Sequence, residues 1–465
     1  MDITTLEIRS LGNATHLVAS ADGDAVVIDP PRDAWHVEAA AAARGWRITH
    51  VVETHVHNDY LTGALELRAS HRSEVLAPAR GGYDFPHRPV DDGDVLIVGD
   101  VHLRARATPG HTPEHLAWDI RRTDATDDRP VAVATGGSLL AGTAGRTDLL
   151  GAAATDGLTR SQFHTLRELA ALPPDVQLLP THGAGSFCGA GAAGRERTST
   201  VGRERADNPW LQVADEGVFV RDMLASFGSY PTYYAEMAPR NRSGPPVLGG
   251  RPRPARLDAA GLVRAMADGV TVVDARVRQG FAAAHVPGSW NIELGDTFAS
   301  YVGWHLPVDT RIALILPNPA EAAEVEAVDQ LIRIGVDHIV GVLDGGIEAW
   351  VDAGGEVGSY PVVAGRDAAN GDPAGGGVVL DVRDREEWSR DGTLDGAIRI
   401  PHGELAARLA ELPRDEPITV ACKSGARASI AASILDAHHL DVRLVATGGV
   451  ADMARPPSTA RSPHP

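Results

Sequence analysis

Over the first 225 or so residues, short apolar runs alternate with helical patterns. "DAVVIDP" is a continuous apolar run closing at Asp29 and Pro30, and reads as a buried strand. "WHVEAAAAAR" reads as a helix, and "ITHVVETHVH" as a strand whose C-terminal end carries a polar run. "VAVATGGSLL" and "VQLLPTHG" are two further passages from strand to loop. This alternation predicts an α/β fold. Polar residues clustered just after strand ends are where such folds place their ligand sites.

The pattern then breaks twice. "APRNRSGPPVLGGRPRPARL" is rich in proline, glycine and arginine and reads as a linker over 238–257. "AGRDAANGDPAGGG" marks a second linker over 361–377. The expected domains are therefore 1–237, 258–360 and 378–455, with a disordered tail over 456–465. The last two domains echo each other, each with an apolar strand, then Asp-x-Arg, then a helix. Asp274/Arg276 and Asp381/Arg383 are the matched pairs, an internal repeat of about 100 residues.

Length and composition agree with several soluble domains: 465 residues, 43% hydrophobic and 23% charged. A formal net charge of -19 argues against nucleic acid and against an anionic membrane surface as partners. No apolar stretch approaches the roughly 20 residues of a membrane span, and no secretory signal is visible. Only two cysteines occur, Cys188 and Cys422, as expected of a reducing cytoplasm. A single lysine, Lys423, stands directly beside Cys422.

"ETHVHNDYLTG" (Glu53–Gly63) holds the first candidate chemistry. His55 and His57, two apart, project to one side of an extended segment. Imidazole is a common zinc or iron ligand, and Asp59 adds an oxygen. "TPGHTPEHLAW" brings His111 and His115, and "LPTHGAG" brings His182. His115 reads as structural, whereas His182 suits either a ligand or a loop filler. Tyr60 stands where another histidine would complete the run. A neutral phenol with a pKa near 10 is a weak ligand, so Tyr60 is expected to hydrogen-bond a bound ligand.

"THVHNDYLTG" resembles the T-H-x-H-x-D-H motif of the metallo-β-lactamase fold. "PGHTP" and "PTHGAG" resemble that fold's later histidine loops. "TAGRTDLLG" and "STVGRERADNP" are similar to the persulfide dioxygenase and glyoxalase II branch. The resemblance implies an αββα sandwich with a metal held by His55, His57 and His111, and with Asp59, Tyr60 and His182 as further ligands or their neighbours. Two departures stand out. Tyr60 replaces a histidine that helps hold a second metal, and Gly137 replaces an aspartate that commonly ligates or bridges. A dinuclear centre loses two ligands, which leaves one Fe(II), with Zn(II) as the alternative.

"CKSGAR" (Cys422–Arg427) follows the apolar "ITVA" and precedes a helical pattern. Backbone N–H groups at a helix start favour a thiolate, and Lys423 and Arg427 add positive charge. The substrate loop is Lys423, Ser424, Gly425 and Ala426. It resembles the rhodanese loop C-x-x-G-x-R, in which the cysteine carries sulfane sulfur as a persulfide. The related phosphatase loop is one residue longer, and position 428 is Ala428. "GTLDGAIRIP" has drifted from the family's G-H-I-P-G-A-x-N-I-P. "AAHVPGSWNI" keeps that signature, yet "ALILPNPAEA" has no cysteine, so the middle domain resembles an inactive rhodanese. Both rhodanese-like domains imply α/β folds with parallel sheets. Cys188, without charged neighbours, reads as a small buried or loop residue.

Together the resemblances imply oxidation of a low-molecular-weight thiol persulfide to sulfite, coupled to sulfur transfer at Cys422 by Arg427 and the loop amides, with thiosulfate formed or used. A glyoxalase II-like thioester hydrolase, or a metal-free scaffold attached to a sulfurtransferase, are the rival readings. Homo-oligomerisation stays open.

Overall fold

The computed structural model describes residues 1–123, 129–191, 196–369 and 377–454. They form two compact units. The first holds Met1–Pro252 with Asp329–Gly335; the second holds Arg253–Val328 and the described residues from Val336 onward.

The first unit contains two six-stranded sheets. One runs in sequence order through Asp2–Ile8, Asn13–Ala19, Asp24–Ile28, Arg47–Val52, Glu74–Pro78 and Arg88–Val90. Its first pairings are antiparallel, and from Asp24–Ile28 onward they are parallel. The central strand Asp24–Ile28 is covered on both faces, which explains its unbroken apolar run. The second sheet has Ala132–Gly136 between Gln177–Pro180 and Leu116–Arg122.

Three apolar layers hold this unit together. Val26, Ile28 and Val52 face Leu103, Trp118 and Ile120 between the sheets. Leu17, Val27 and Val51 pack outward on Val37 and Leu67 of the helices Trp35–Ala42 and Ala64–His71. Val133 and Leu178 pack on Phe163 and Leu166 of the helix Ala152–Ala170. The order helix, sheet, sheet, helix is the expected αββα sandwich.

The stretch 238–257, read as linker, begins with helix. Tyr234–Ser243 runs through its start. Asn241 is buried and donates from Nδ2 to the carbonyls of His57 and Tyr60, both at 2.8 Å. The stretch also ends in regular structure, the strand Ala255–Leu257, which pairs in parallel with Ile339–Leu343. The distant segment Asp329–Gly335 also belongs to the first unit. Arg333 forms a bidentate pair with buried Asp33, at 2.8 and 2.5 Å, and its carbonyl accepts from the Leu61 N–H at 2.7 Å.

The second unit shows the repeat as structure. Two five-stranded parallel sheets have the same strand order. In each, the Asp-x-Arg pair closes the end of the second strand. Arg276 Nη2 bonds Asp274 Oδ2 at 2.6 Å and the carbonyl of Ala284 at 2.8 Å. Arg383 Nη2 bonds Asp381 Oδ2 at 2.7 Å and the carbonyl of Gly392 at 2.7 Å. Both aspartates are fully buried. The stretch 361–377 contains the edge strand Val362–Ala364 and the helix Gly365–Ala369; 370–376 and the expected tail lie outside the described residues. Among the described residues no helix is long and apolar enough to cross a membrane.

Removing one member of a buried pair strands the other charge. Arg383→Ala is therefore expected to cost about 3–5 kcal/mol. Hydrogen exchange in peptides covering Val378–Asp381 reads that loss directly.

Candidate functional site

The two sheets of the first unit bring the histidine loops to one buried point. The Asp29 carboxylate accepts from the Thr54 N–H and hydroxyl, each at 2.7 Å, and from the Thr181 hydroxyl. It thereby fixes the loop carrying His55 and His57 beside the loop carrying His182.

The partners behind each ring assign its tautomer. The Thr54 hydroxyl spends its proton on Asp29, so at 2.8 Å it accepts from His55 Nδ1–H. Glu53 accepts from His57 Nε2–H at 3.0 Å. The Arg146 carbonyl accepts from His111 Nδ1–H at 2.7 Å, and the Asn13 amide oxygen accepts from His182 Nδ1–H at 3.0 Å. Each of the four imidazoles thus presents its opposite nitrogen as the one that could meet a metal. His57 Nδ1 and His111 Nε2 have no hydrogen-bond partner although buried, and His55 Nε2 lies 3.3 Å from His182 Nε2. Two lone pairs facing at that distance repel unless a cation lies between them. About 3.3 Å is also the edge of a tetrahedron with metal–nitrogen bonds near 2.05 Å. The donor set therefore fits a metal ion.

His55, His57 and His182 form one group of converging ligand atoms, and His111, His182 and Cys188 another. Burial, then the charges of neighbouring rings, lowers the pKa of His55 well below its ordinary value. Burial and the His182 charge bring His111 down to about 3. At His57 burial acts downward too, but Asp29 and Glu53 outweigh it and raise the pKa to about 10, so its Nδ1 carries a proton that a bound cation would displace. These two acids are the counter-charge that a bound cation would meet.

The remaining predicted residues lie outside this point. Asp59 accepts from Asn13 at 2.7 Å and backs His182 at 3.4 Å. The Tyr60 hydroxyl meets the Asp29 carbonyl and His57 Nε2, at 3.2 and 3.1 Å. That is the far side of His57, so the phenol braces the ring rather than a ligand. His115 has both nitrogens satisfied, by Thr108 and by the Gly137 N–H. The His111 ring fills the space beside position 137: a Cβ on Gly137 would fall 2.2 Å from His111 Cδ2.

In the second unit, Cys422 ends the strand Ile418–Ala421, and the helix Ala426–Ala437 follows. Its buried Sγ accepts from the Gly425 N–H at 3.1 Å, while Lys423 is exposed. Arg427, expected to hold an anion, is engaged by acids of its own domain. Its guanidinium bonds Asp384 at 2.7 Å and Glu387 at 2.5 and 2.9 Å, so two carboxylates take its charge. In the first repeat Asp274 pairs with Ile315 as Asp381 pairs with Ala421, which puts buried Leu316 at the place of Cys422.

A family model, Rhodanese-like domain, matches residues 258–353 and 366–453. The chain is 31% identical over 211 residues to the human mitochondrial persulfide dioxygenase, covering 43% of this chain and 72% of that protein. This chain is a metallo-β-lactamase-fold protein of the persulfide dioxygenase and glyoxalase II branch fused to two rhodanese-like domains. Hydroxyacylglutathione hydrolase of Cereibacter sphaeroides is 30% identical over 186 residues, 39% of this chain; the match spans 66% of that relative's length. A crystal structure of a metallo-β-lactamase from Staphylococcus aureus subsp. aureus COL aligns with a TM-score of 0.65 and 25% identity, over 74% of this chain and 98% of the other.

Within this metallo-β-lactamase-fold unit, sequence reasoning missed Glu53 and Asp29 behind His57, and Cys188. Cys188 is fully buried beside His111 and His182, with its Sγ 3.9 Å from the Tyr234 hydroxyl. Burial pushes its thiol pKa well up. The only sequence signal was its place in "GSFCG", shortly after His182.

Restoring the aspartate at position 137 must displace an anchored ring. Gly137→Asp is expected to destabilise the first unit by about 1–3 kcal/mol, as overpacking does. Thermal unfolding followed by calorimetry checks it, and an unchanged or raised transition contradicts the packing argument.

Proposed function

We propose that this chain oxidises a low-molecular-weight thiol persulfide at the histidine cluster and carries sulfane sulfur on Cys422. The observation that carries the reading is a pair of buried ligand trios that share His182, one with His55 and His57 and one with His111 and Cys188, in one chain with a cysteine whose sulfur is held by a helix-start amide. His55, His57, His111 and His182 would hold one metal ion, Fe(II) in this reading. Bound there, ferrous iron would supply activation of O₂ and a seat for the persulfide sulfur. Persulfide, O₂ and water balance to thiol and sulfite.

The chain's own residues set up that chemistry. Thr54, Glu53, Asn13 and the Arg146 carbonyl hold each ring in the tautomer that offers a lone pair. Tyr60 and Asp29 fix His57 from behind. Neither Tyr60 nor Gly137 offers a ligand for a second ion, which favours a single-metal oxidation over hydrolysis between two metals. At Cys422 the thiolate attacks the outer sulfur of a thiol persulfide, forming the cysteine persulfide and releasing the donor thiolate; sulfite attacking the outer sulfur then releases thiosulfate and returns the Cys422 thiolate. The Gly425 N–H stabilises the sulfur anion, and exposed Lys423 draws anions to the loop mouth.

The similarity to hydroxyacylglutathione hydrolases keeps thioester hydrolysis as the second reading. Metal analysis of protein purified without added metal, paired with O₂ uptake on glutathione persulfide, separates the readings. Iron with uptake and sulfite release is the expected result. Zinc without uptake, with cleavage of a glutathione thioester, supports hydrolysis, and neither metal nor turnover supports a scaffold. In the same assay Cys422→Ser is expected to abolish thiosulfate formation from added sulfite while O₂ uptake persists.

A further inference from the structure

We propose that Arg278, in the repeat that lacks a cysteine, is a positioning residue for Cys422. It holds the Ser424–Gly425 peptide so that its N–H points at the sulfur. The role rests on Cys422 being the sulfur-carrying nucleophile.

The geometry is that of a single peptide plane. Arg278 Nη1 donates to the Ser424 carbonyl at 2.8 Å and to the Ala446 carbonyl at 3.3 Å. On the other edge of the same peptide, the Gly425 N–H donates to Cys422 Sγ at 3.1 Å. In a trans peptide the C=O and N–H point in opposite directions. A donor that captures the carbonyl therefore decides where the N–H goes. A cation on the oxygen also polarises the amide and makes its N–H a stronger donor to a sulfur anion.

Arg278 is itself held. Glu293 accepts from its Nε at 3.0 Å, from its Nη2, and from its backbone N–H at 2.7 Å. The guanidinium thus has a fixed plane, with Nη1 left for the loop. Position 425 is built around the contact. Its φ is +98°, and a Cβ there would fall 2.2 Å from Arg278 Nη1 and 2.3 Å from the Ala446 oxygen. Only glycine fits both the backbone and the approaching cation. The repeat that lost its own nucleophile thus supplies a part of its neighbour's site.

Lys423, Tyr301, and Arg427 with its partners Asp384 and Glu387 are the other titratable groups around the sulfur, and Arg278 variants leave them in place. The test is the pH profile of iodoacetamide labelling in the full-length protein, with the Cys422 peptide read by mass spectrometry. Arg278→Met is expected to slow Cys422 labelling at neutral pH about tenfold, roughly the worth of one charge-assisted hydrogen bond. The gap should close above about pH 10, well past the ordinary thiol pKa. Arg278→Lys should recover part of the rate, since it keeps a donor and loses the fork. Glu293→Gln, which loosens the guanidinium without removing it, should give an intermediate loss even if Arg278→Met does not fold. Unchanged profiles, or a loss equal at all pH values, overturn the proposal. Sulfur transfer from thiosulfate to cyanide by the unmodified protein tests the underlying reading separately. Transfer with unmoved labelling sinks only the role of Arg278; shifted labelling without transfer sinks only the sulfur-carrier reading.

Discussion

The first unit is organised around one buried carboxylate. Asp29 has no exposure, lies at the end of a central strand, and binds groups from two other loops. Burial works against its ionisation, yet the charge of His57 and the hydroxyl donors bring its pKa down to about 2. An ion so deeply placed is tolerable only because every partner is in position. The requirement runs both ways, because the same bonds fix Thr54 and Thr181 and hence the rings attached beside them. The cluster's shape is set from behind, by groups that never reach its centre.

Much of this was legible along the chain. Apolar runs ending in polar residues located the strands Asp24–Ile28, Arg47–Val52 and Gln177–Pro180 and the loops after them. The two-residue spacing of His55 and His57 placed both at one strand end. The orientation of Tyr60 was not legible, since a phenol after the motif suits either face of His57; contacts from Asp29 decide it. The partners of Arg427 were not legible for a related reason. Spacing put a cation in the loop, but its carboxylate partners Asp384 and Glu387 stand some 40 positions earlier. Asn241 was read as linker because composition is blind to one buried amide holding two carbonyls.

The two rhodanese-like repeats separate what a fold needs from what a reaction needs. Both keep the sheet order and the aspartate–arginine corner, with almost the same bond lengths. They differ at the residue after each sheet's central strand, Leu316 after Ile312–Ile315 in one and Cys422 after Ile418–Ala421 in the other. Family-level resemblance identified both domains from short motifs. It did not reveal that buried Ser429 and Ser433, on the helix behind Cys422, bond Asn291 of the first repeat.

Gly137 and Gly145 carry a steric consequence. A Cβ at position 145 would fall 1.8 Å from the Gly137 oxygen and 3.0 Å from His111 Nδ1. The two glycines therefore form a mould around the His111 ring. An acidic side chain at position 137 therefore has room only if the His111 ring is re-housed. The absent acid and the anchored ring are thus one steric fact.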